Sequence, residues 1–310
     1  MKKIIIGAAV IAAILALLPV VIGDIEVRDL DDAARKESGL KFIKLTDGLV
    51  HYDLAGPANG EIAVLIHGNA APYFSWDKNV KSLTDAGFRV LLYDLYGFGY
   101  SDRPRIAYTR ALYDRQLVEL LDQLGISTPV NLVGTSQGGS IAVYFTSQHP
   151  ERVKRLALLS PFINILPMKA LIAIMKMPVI GDYLASVALD RTNINYPKKV
   201  FAGEANITEE FTKKYRAQLS FKGFKQARLA NFRGDNLSDF TPQYQAVDRT
   251  KIPVLLTWGT ADQVIMGDSI SNIRKAIPGL KFHEIPGGGH LVHYENPEMV
   301  NDVLVRFLEK

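Results

Sequence analysis

The sequence predicts an α/β protein: a mostly parallel, eight-stranded sheet flanked by helices, with a helical lid inserted after the sixth strand. Three observations lead there. Short continuous apolar runs, such as residues 62–66, alternate with segments of helical periodicity. A parallel sheet covered on both faces requires that alternation. The alternation stops over residues 161–248, which are rich in Met, Ile and Phe without a clear strand, and resumes at Pro253. Finally, a glycine-rich turn, Gly134-Thr135-Ser136-Gln137-Gly138-Gly139, sits directly between a buried strand and a helix.

The elements follow in order. Residues 27–37 read as a polar tether within a linker over 24–40. Residues 42–45 and 50–54 are two short strands joined by a hairpin at Asp47-Gly48. Residues 62–66 are a strand, 76–86 a helix and 89–93 a strand. Residues 108–124 are an amphipathic helix carrying Leu117, Leu120, Leu121 and Leu124 on one side. Then come strand 130–133, helix 138–148 and strand 153–159. After the lid follow strand 253–258, helix 269–277, strand 281–285 and helix 296–308. The core therefore comprises residues 41–160 and 249–310, divided by the lid.

Composition excludes several classes. Of 310 residues, 48% are hydrophobic and 22% charged, ordinary globular proportions that exclude wholesale disorder. The net charge of +4 is scattered, with no Lys/Arg block interleaved with aromatics, so no nucleic-acid partner is expected. The absence of cysteine excludes disulfides, thiolate metal sites and a cysteine nucleophile.

At the N-terminus, Lys2 and Lys3 precede an apolar run over residues 4–22, long enough to cross a bilayer's hydrocarbon core. Lysines on the leading side and acidic residues behind it orient everything after residue 23 to the extracytoplasmic side. Residues 1–23 are expected to be an uncleaved signal anchor. The alternative is a cleaved signal peptide, Val21-Ile22-Gly23 offering a tolerable site, with a secreted or periplasmic product.

Four features carry chemistry. A serine at a strand–turn–helix junction is lifted above the strand ends, and Gly134 and Gly138 avoid collisions with the neighbouring backbone, which nominates Ser136 as a nucleophile. Of six histidines, only His290 lies in a glycine-rich loop after the last strand; His293 is its competitor. Asp262 follows strand 253–258 at the same edge and would fix the imidazole's tautomer; Asp94 is the alternative. Strand 62–66 ends in His67-Gly68-Asn69-Ala70. There Asn69, or alternatively Ala70, would offer a backbone N–H to an oxyanion, with Gln137 giving the second. His67 and Gly68 would brace and admit that loop.

With these residues in place, the chain resembles the α/β-hydrolase superfamily over nearly everything after residue 40. The resemblance rests on His67-Gly68, Asp94 with Gly97-x-Gly99-x-Ser101, Gly134-x-Ser136-x-Gly138-Gly139, Gly259-x-x-Asp262 and Gly289-His290 with Glu295-x-Pro297. Gly134–Gly139 and residues 253–264 are similar to a group of bacterial lipolytic esterases, including monoacylglycerol lipase-like enzymes. Where many relatives carry a proline after the acid loop, this chain has Met266-Gly267. The resemblance implies a cofactor-independent serine esterase acting on short, medium or lipid-type acyl esters through an acyl-enzyme, without metal. A C–C bond or lactone hydrolase with the same triad is the alternative, and a silent, membrane-tethered binding module a third reading. Haloalkane dehalogenases and many epoxide hydrolases resemble the chain around His67-Gly68-Asn69, but they use an aspartate nucleophile where Ser136 stands. The lid, apolar between residues 163 and 184, is expected to form the acyl pocket; its helix is read as packed on the sheet domain, with a surface that also touches lipid as the alternative.

Overall fold

The structure, a computed structural model, describes residues 24–164 and 169–309. The apolar run over residues 4–22, and with it the anchor or signal peptide, lies outside them, as do Leu166 and Met168.

One sheet is formed by β1 (Lys41–Leu45), β2 (Gly48–Ala55), β3 (Ile62–Ile66), β4 (Arg89–Tyr93), β5 (Val130–Thr135), β6 (Val153–Leu159), β7 (Val254–Gly259) and β8 (Lys281–Ile285). Its order is β1-β2-β4-β3-β5-β6-β7-β8. β2 pairs antiparallel with β1 and β4, and every other pair is parallel. Burial on both faces explains the unbroken apolar runs. In β3, Ile62, Val64 and Ile66 enter one core while Ala63 and Leu65 enter the other. β4 divides the same way, Leu91 and Tyr93 against Val90 and Leu92. A one-residue slip would exchange the two sets, so the packing fixes the register.

Before the sheet, α1 (Asp32–Ser38) departs from the expected tether. Asp31 caps it by accepting from the Ala34 N–H, Gly39 ends it in the left-handed region, and Arg35 pairs with Asp102. Glu26 further accepts the Gly223 N–H at 2.8 Å. These contacts come from caps and distant partners, so a seven-residue helix without an apolar stripe left no periodic signal.

Helices α2 (Asp77–Asp85), α3 (Arg110–Gln123) and α4 (Gln137–Gln148) follow β3, β4 and β5. Between β6 and β7 the described residues contain no strand. They hold α5 (Lys169–Lys176), α6 (Ile180–Ile194), α7 (Tyr196–Val200), α8 (Glu209–Leu219), α9 (Phe224–Arg233) and α10 (Thr241–Thr250). The chain ends through α11 (Gly267–Ala276), α12 (Val292–Glu295) and α13 (Pro297–Leu308). α3, α4, α10 and α11 cover one face of the sheet, and α2 and α13 the other.

The helical stretch expected to reach residue 248 therefore divides. α10 packs on α4 and α11 as part of the core's helical layer, because Tyr244 and Val247 are fully buried there. The inserted helices form a small core of their own from Met175, Ala185, Leu189, Leu229 and Phe232. Leu171, Ile174, Met177 and Val179 are exposed on the outer side of α5 and the turn after it. Among the described residues, no single helix is long and apolar enough to cross a membrane.

Candidate active site

β5 hands over to α4 through Ser136, whose backbone sits at φ 52° and ψ −121°. A positive φ at a residue with a Cβ costs on the order of 1–3 kcal/mol and persists only where the surroundings enforce it. They do so here by close approach. A Cβ on Gly138 would stand 2.2 Å from the Ile66 carbonyl oxygen and 2.4 Å from that of His67. One on Gly134 would stand 2.5 Å from the Gly138 oxygen. The turn is therefore wedged against the end of β3, and the Ser136 N–H is held by the Leu159 carbonyl at 2.9 Å.

Two strands further along the same edge, Asp262 accepts from the N–H groups of Val264 and Ile265 at 2.8 and 2.9 Å. Its second oxygen faces His290 Nδ1 at 2.9 Å. Burial pushes the Asp262 carboxyl up, but the His290 ring and these N–H donors outweigh it and leave its pKa below the usual carboxylate value. An ionised carboxylate on Nδ1 keeps the proton there, so Nε2 presents its lone pair. Ser136, Asp262 and His290 are 8%, 8% and 1% exposed, so water is largely excluded from all three. His290 Nε2 makes no hydrogen bond among the described residues, to Ser136 or to any other. The acid–base half of the expected triad is thus formed and the nucleophile–base contact is open. Such contacts commonly tighten only around a bound substrate.

The loop after β3 lies beside the serine. A Cβ on Gly68 would stand 3.0 Å from Ser136 Cβ, so a side chain there would crowd the serine. Ala70 is held at φ 71°, with Gly68 and Ala71 bridged across the turn. His67 braces it from beneath. The Leu95 N–H donates to His67 Nε2 at 2.9 Å, so Nδ1 carries the proton and donates to the Gly68 carbonyl at 2.7 Å. Burial lowers the His67 pKa against the pull of Asp94, keeping the ring neutral. Gln137, as the first residue of α4, has a backbone N–H without an intrahelical acceptor.

The competing assignments separate cleanly. Asp94 binds His51 Nδ1 at 2.7 Å and takes the N–H groups of Tyr73 and Tyr100 at 3.0 Å each, organising its turn rather than serving His290. His293 is buried against Trp76, ring centroids 4.2 Å apart. His149 meets Asp114, and His283 is exposed on β8.

Several residues at the site come from the inserted helices and carry no motif. Gln218 of α8 donates to the Ala70 carbonyl at 2.6 Å and accepts from the Gly99 N–H. Asn231 of α9 exchanges two side-chain hydrogen bonds with Gln137, at 3.0 and 2.9 Å. Val200, at the end of α7, accepts the His290 N–H at 2.8 Å. Only the folded chain brings these positions together, since each depends on how the insertion folds back.

A serine in a strained turn and a buried His–Asp pair, all on the carboxyl edge of a mostly parallel sheet, define the architecture of a hydrolase. The family model of the alpha/beta hydrolase fold matches residues 64–297, and the chain belongs to that family. It is 31% identical over 300 residues to a 2-hydroxy-6-oxononadienedioate/2-hydroxy-6-oxononatrienedioate hydrolase of Paraburkholderia phymatum, covering 86% of this chain and 95% of that one. It is 28% identical over 280 residues to a 2-hydroxy-6-oxo-6-phenylhexa-2,4-dienoate hydrolase of Comamonas testosteroni, covering 86% and 93%. Among solved structures, bromoperoxidase from Bacillus anthracis superimposes with a TM-score of 0.74 at 26% identity, over 87% of this chain and all 100% of that one.

Proposed function

We propose that this hydrolase uses Ser136 to attack a ketone carbonyl and cleaves the adjacent carbon–carbon bond of a vinylogous oxo-acid. The observation that carries the serine chemistry is the buried Asp262–His290 hydrogen bond, which leaves Nε2 as the basic nitrogen. His290 takes the Ser136 proton as Oγ attacks, and the N–H groups of Asn69 and Gln137 hold the resulting oxyanion. When that intermediate collapses, the departing carbon must carry away the bonding electron pair. It does so only from the keto tautomer, in which the 2-hydroxyl proton has moved to the carbon beside the reacting ketone: the bonding pair then delocalises onto the 2-oxo group as a dienolate, and the proton on His290 neutralises it. Water, deprotonated in turn by His290, releases the acyl group from Ser136.

The relatives' names support this reading over the ester expected from the sequence, since those proteins are named for 2-hydroxy-6-oxo dienoate substrates. An ester would pass through the same steps with an alkoxide as leaving group. The test is labelling of Ser136 by a fluorophosphonate, with kcat/KM measured on a 2-hydroxy-6-oxo-dienoate and on p-nitrophenyl butyrate. Labelling with preference for the dienoate is expected. Preference for the butyrate would return the ester reading, and absence of both labelling and turnover would overturn serine catalysis.

A further inference from the structure

Arg228 stands on α9 with 6% of its surface exposed, and its Nε and Nη1 are buried without an acceptor among the described residues. Its surroundings are aromatic: the guanidinium carbon lies 5.7 Å from the Tyr196 ring centroid and 5.9 Å from that of Phe232. Burial lowers its pKa, and only the phenols of Tyr215 and Tyr196 oppose that effect. No carboxylate of the described chain pairs with it. A buried cation with idle donors is costly unless an anion completes it. Elsewhere in the same insertion a largely buried cation is completed by a buried anion, as Lys225 is paired with Asp190 at 3.0 Å.

The position of Arg228 links it to the chemistry. Asn231 lies on the same face of α9, three residues on, and is bonded to Gln137 beside the nucleophile. On its other side, the Tyr196 hydroxyl senses the charge of Asp262 and is pushed by burial up to about 12, so it stays neutral. Tyr196 opens α7, whose last carbonyl holds the His290 N–H. The guanidinium is thus set into the helical layer that touches both Gln137 and His290.

We infer that Arg228 binds a carboxylate of the substrate, anchoring an acid whose reactive carbonyl is thereby presented to Ser136. A planar guanidinium fork matches a carboxylate in two parallel hydrogen bonds, and aromatic walls strengthen them by excluding water. The inference deepens the serine-hydrolase reading and rests on it for the orientation of the bound acid.

The experiment compares two chromogenic esters of equal chain length, p-nitrophenyl hemiglutarate and p-nitrophenyl pentanoate, which differ by the terminal carboxylate. The ratio of their kcat/KM values is expected to fall by about 30- to 100-fold in Arg228→Met, mainly through KM, and to recover in part in Arg228→Lys. A merely structural arginine would lower both values and leave the ratio as it was, which would overturn the inference. A second measurement needs no turnover: calorimetric binding of glutarate to Ser136→Ala, expected to vanish when Arg228→Met is added. Absent binding, or equal binding by both proteins, overturns the carboxylate site. Failure of Ser136 to react with a fluorophosphonate would instead fail the catalytic reading alone.

Discussion

Replacing His293 by phenylalanine should flatten the acid side of this protein's stability curve. His293 is fully buried, packed against Trp76 with ring centroids 4.2 Å apart, and neither ring nitrogen has a partner among the described residues. Burial first, and the neighbouring His290 second, push its pKa from 6.5 down to about 3. In the unfolded chain the imidazole takes up its proton near pH 6.5; in the folded chain it stays neutral until about pH 3. Across that window the unfolded state binds more protons, so stability rises with pH and is lost on acidification. Moving from pH 7 to pH 5 covers about 1.5 units below the unfolded value, or about 2 kcal/mol at roughly 1.36 kcal/mol per unit. Urea unfolding of wild type and His293→Phe at the two pH values isolates the residue, because other titrating groups cancel and an aromatic ring still packs against Trp76. Wild type is expected to lose about 2 kcal/mol more than the variant. Equal losses would refute the assignment of a buried, neutral His293.

Three further outcomes follow from contacts described above. Asp262→Asn should leave the fold intact but favour the wrong His290 tautomer, reducing kcat by about 10⁴-fold in a steady-state assay; a loss below tenfold would show that Asp262 does not orient the base. Gly138→Ala would drive a Cβ to 2.2 Å from a backbone oxygen, so its Tm should fall by several degrees, and an unchanged Tm would deny the wedge that strains Ser136. Arg228→Met replaces an unpaired buried cation with an apolar chain of similar length and should hold or raise Tm, as seen where buried charges yield to hydrophobic residues; a sharp fall would mark the guanidinium as structural.

The sheet and its edge were legible because their causes are local. Residues 62–66 are apolar without interruption since both faces of β3 are covered, and that pattern is visible in five letters. Ser136, Gly134 and Gly138 form a motif of five residues because the turn leaves no room for side chains at the glycines, Gly138 being pressed against the Ile66 and His67 carbonyls at the end of β3. Asp262 and His290 were found by position relative to strand ends, and they meet at 2.9 Å. The second buried pair, His51–Asp94, escaped because His51 lies within the inner strand of the first hairpin, where nothing local sets it apart. α1 escaped for the opposite reason: it is held by a cap and by Arg35–Asp102, and its sequence alone is polar.

The inserted helices were legible as helices and illegible as parts of the site, and the difference has a physical origin. Helical periodicity records which face a segment buries, whereas Gln218 and Asn231 act by reaching across to residues some 90 to 150 positions away. Their shared feature appears only after folding. Gln218 grips the Ala70 carbonyl behind the oxyanion loop, and Asn231 grips the side chain of Gln137, the other expected oxyanion donor. Both backbone segments that would stabilise developing charge are therefore held from the insertion side, and Arg228 hangs from the helix that holds one of them. A movement of α9 that admitted substrate to the buried Ser136 would shift Gln137 and the arginine together. A ligand bridging Arg228 and Ser136 would then restore the bonds that such a movement breaks, coupling recognition of the acid to assembly of the oxyanion site.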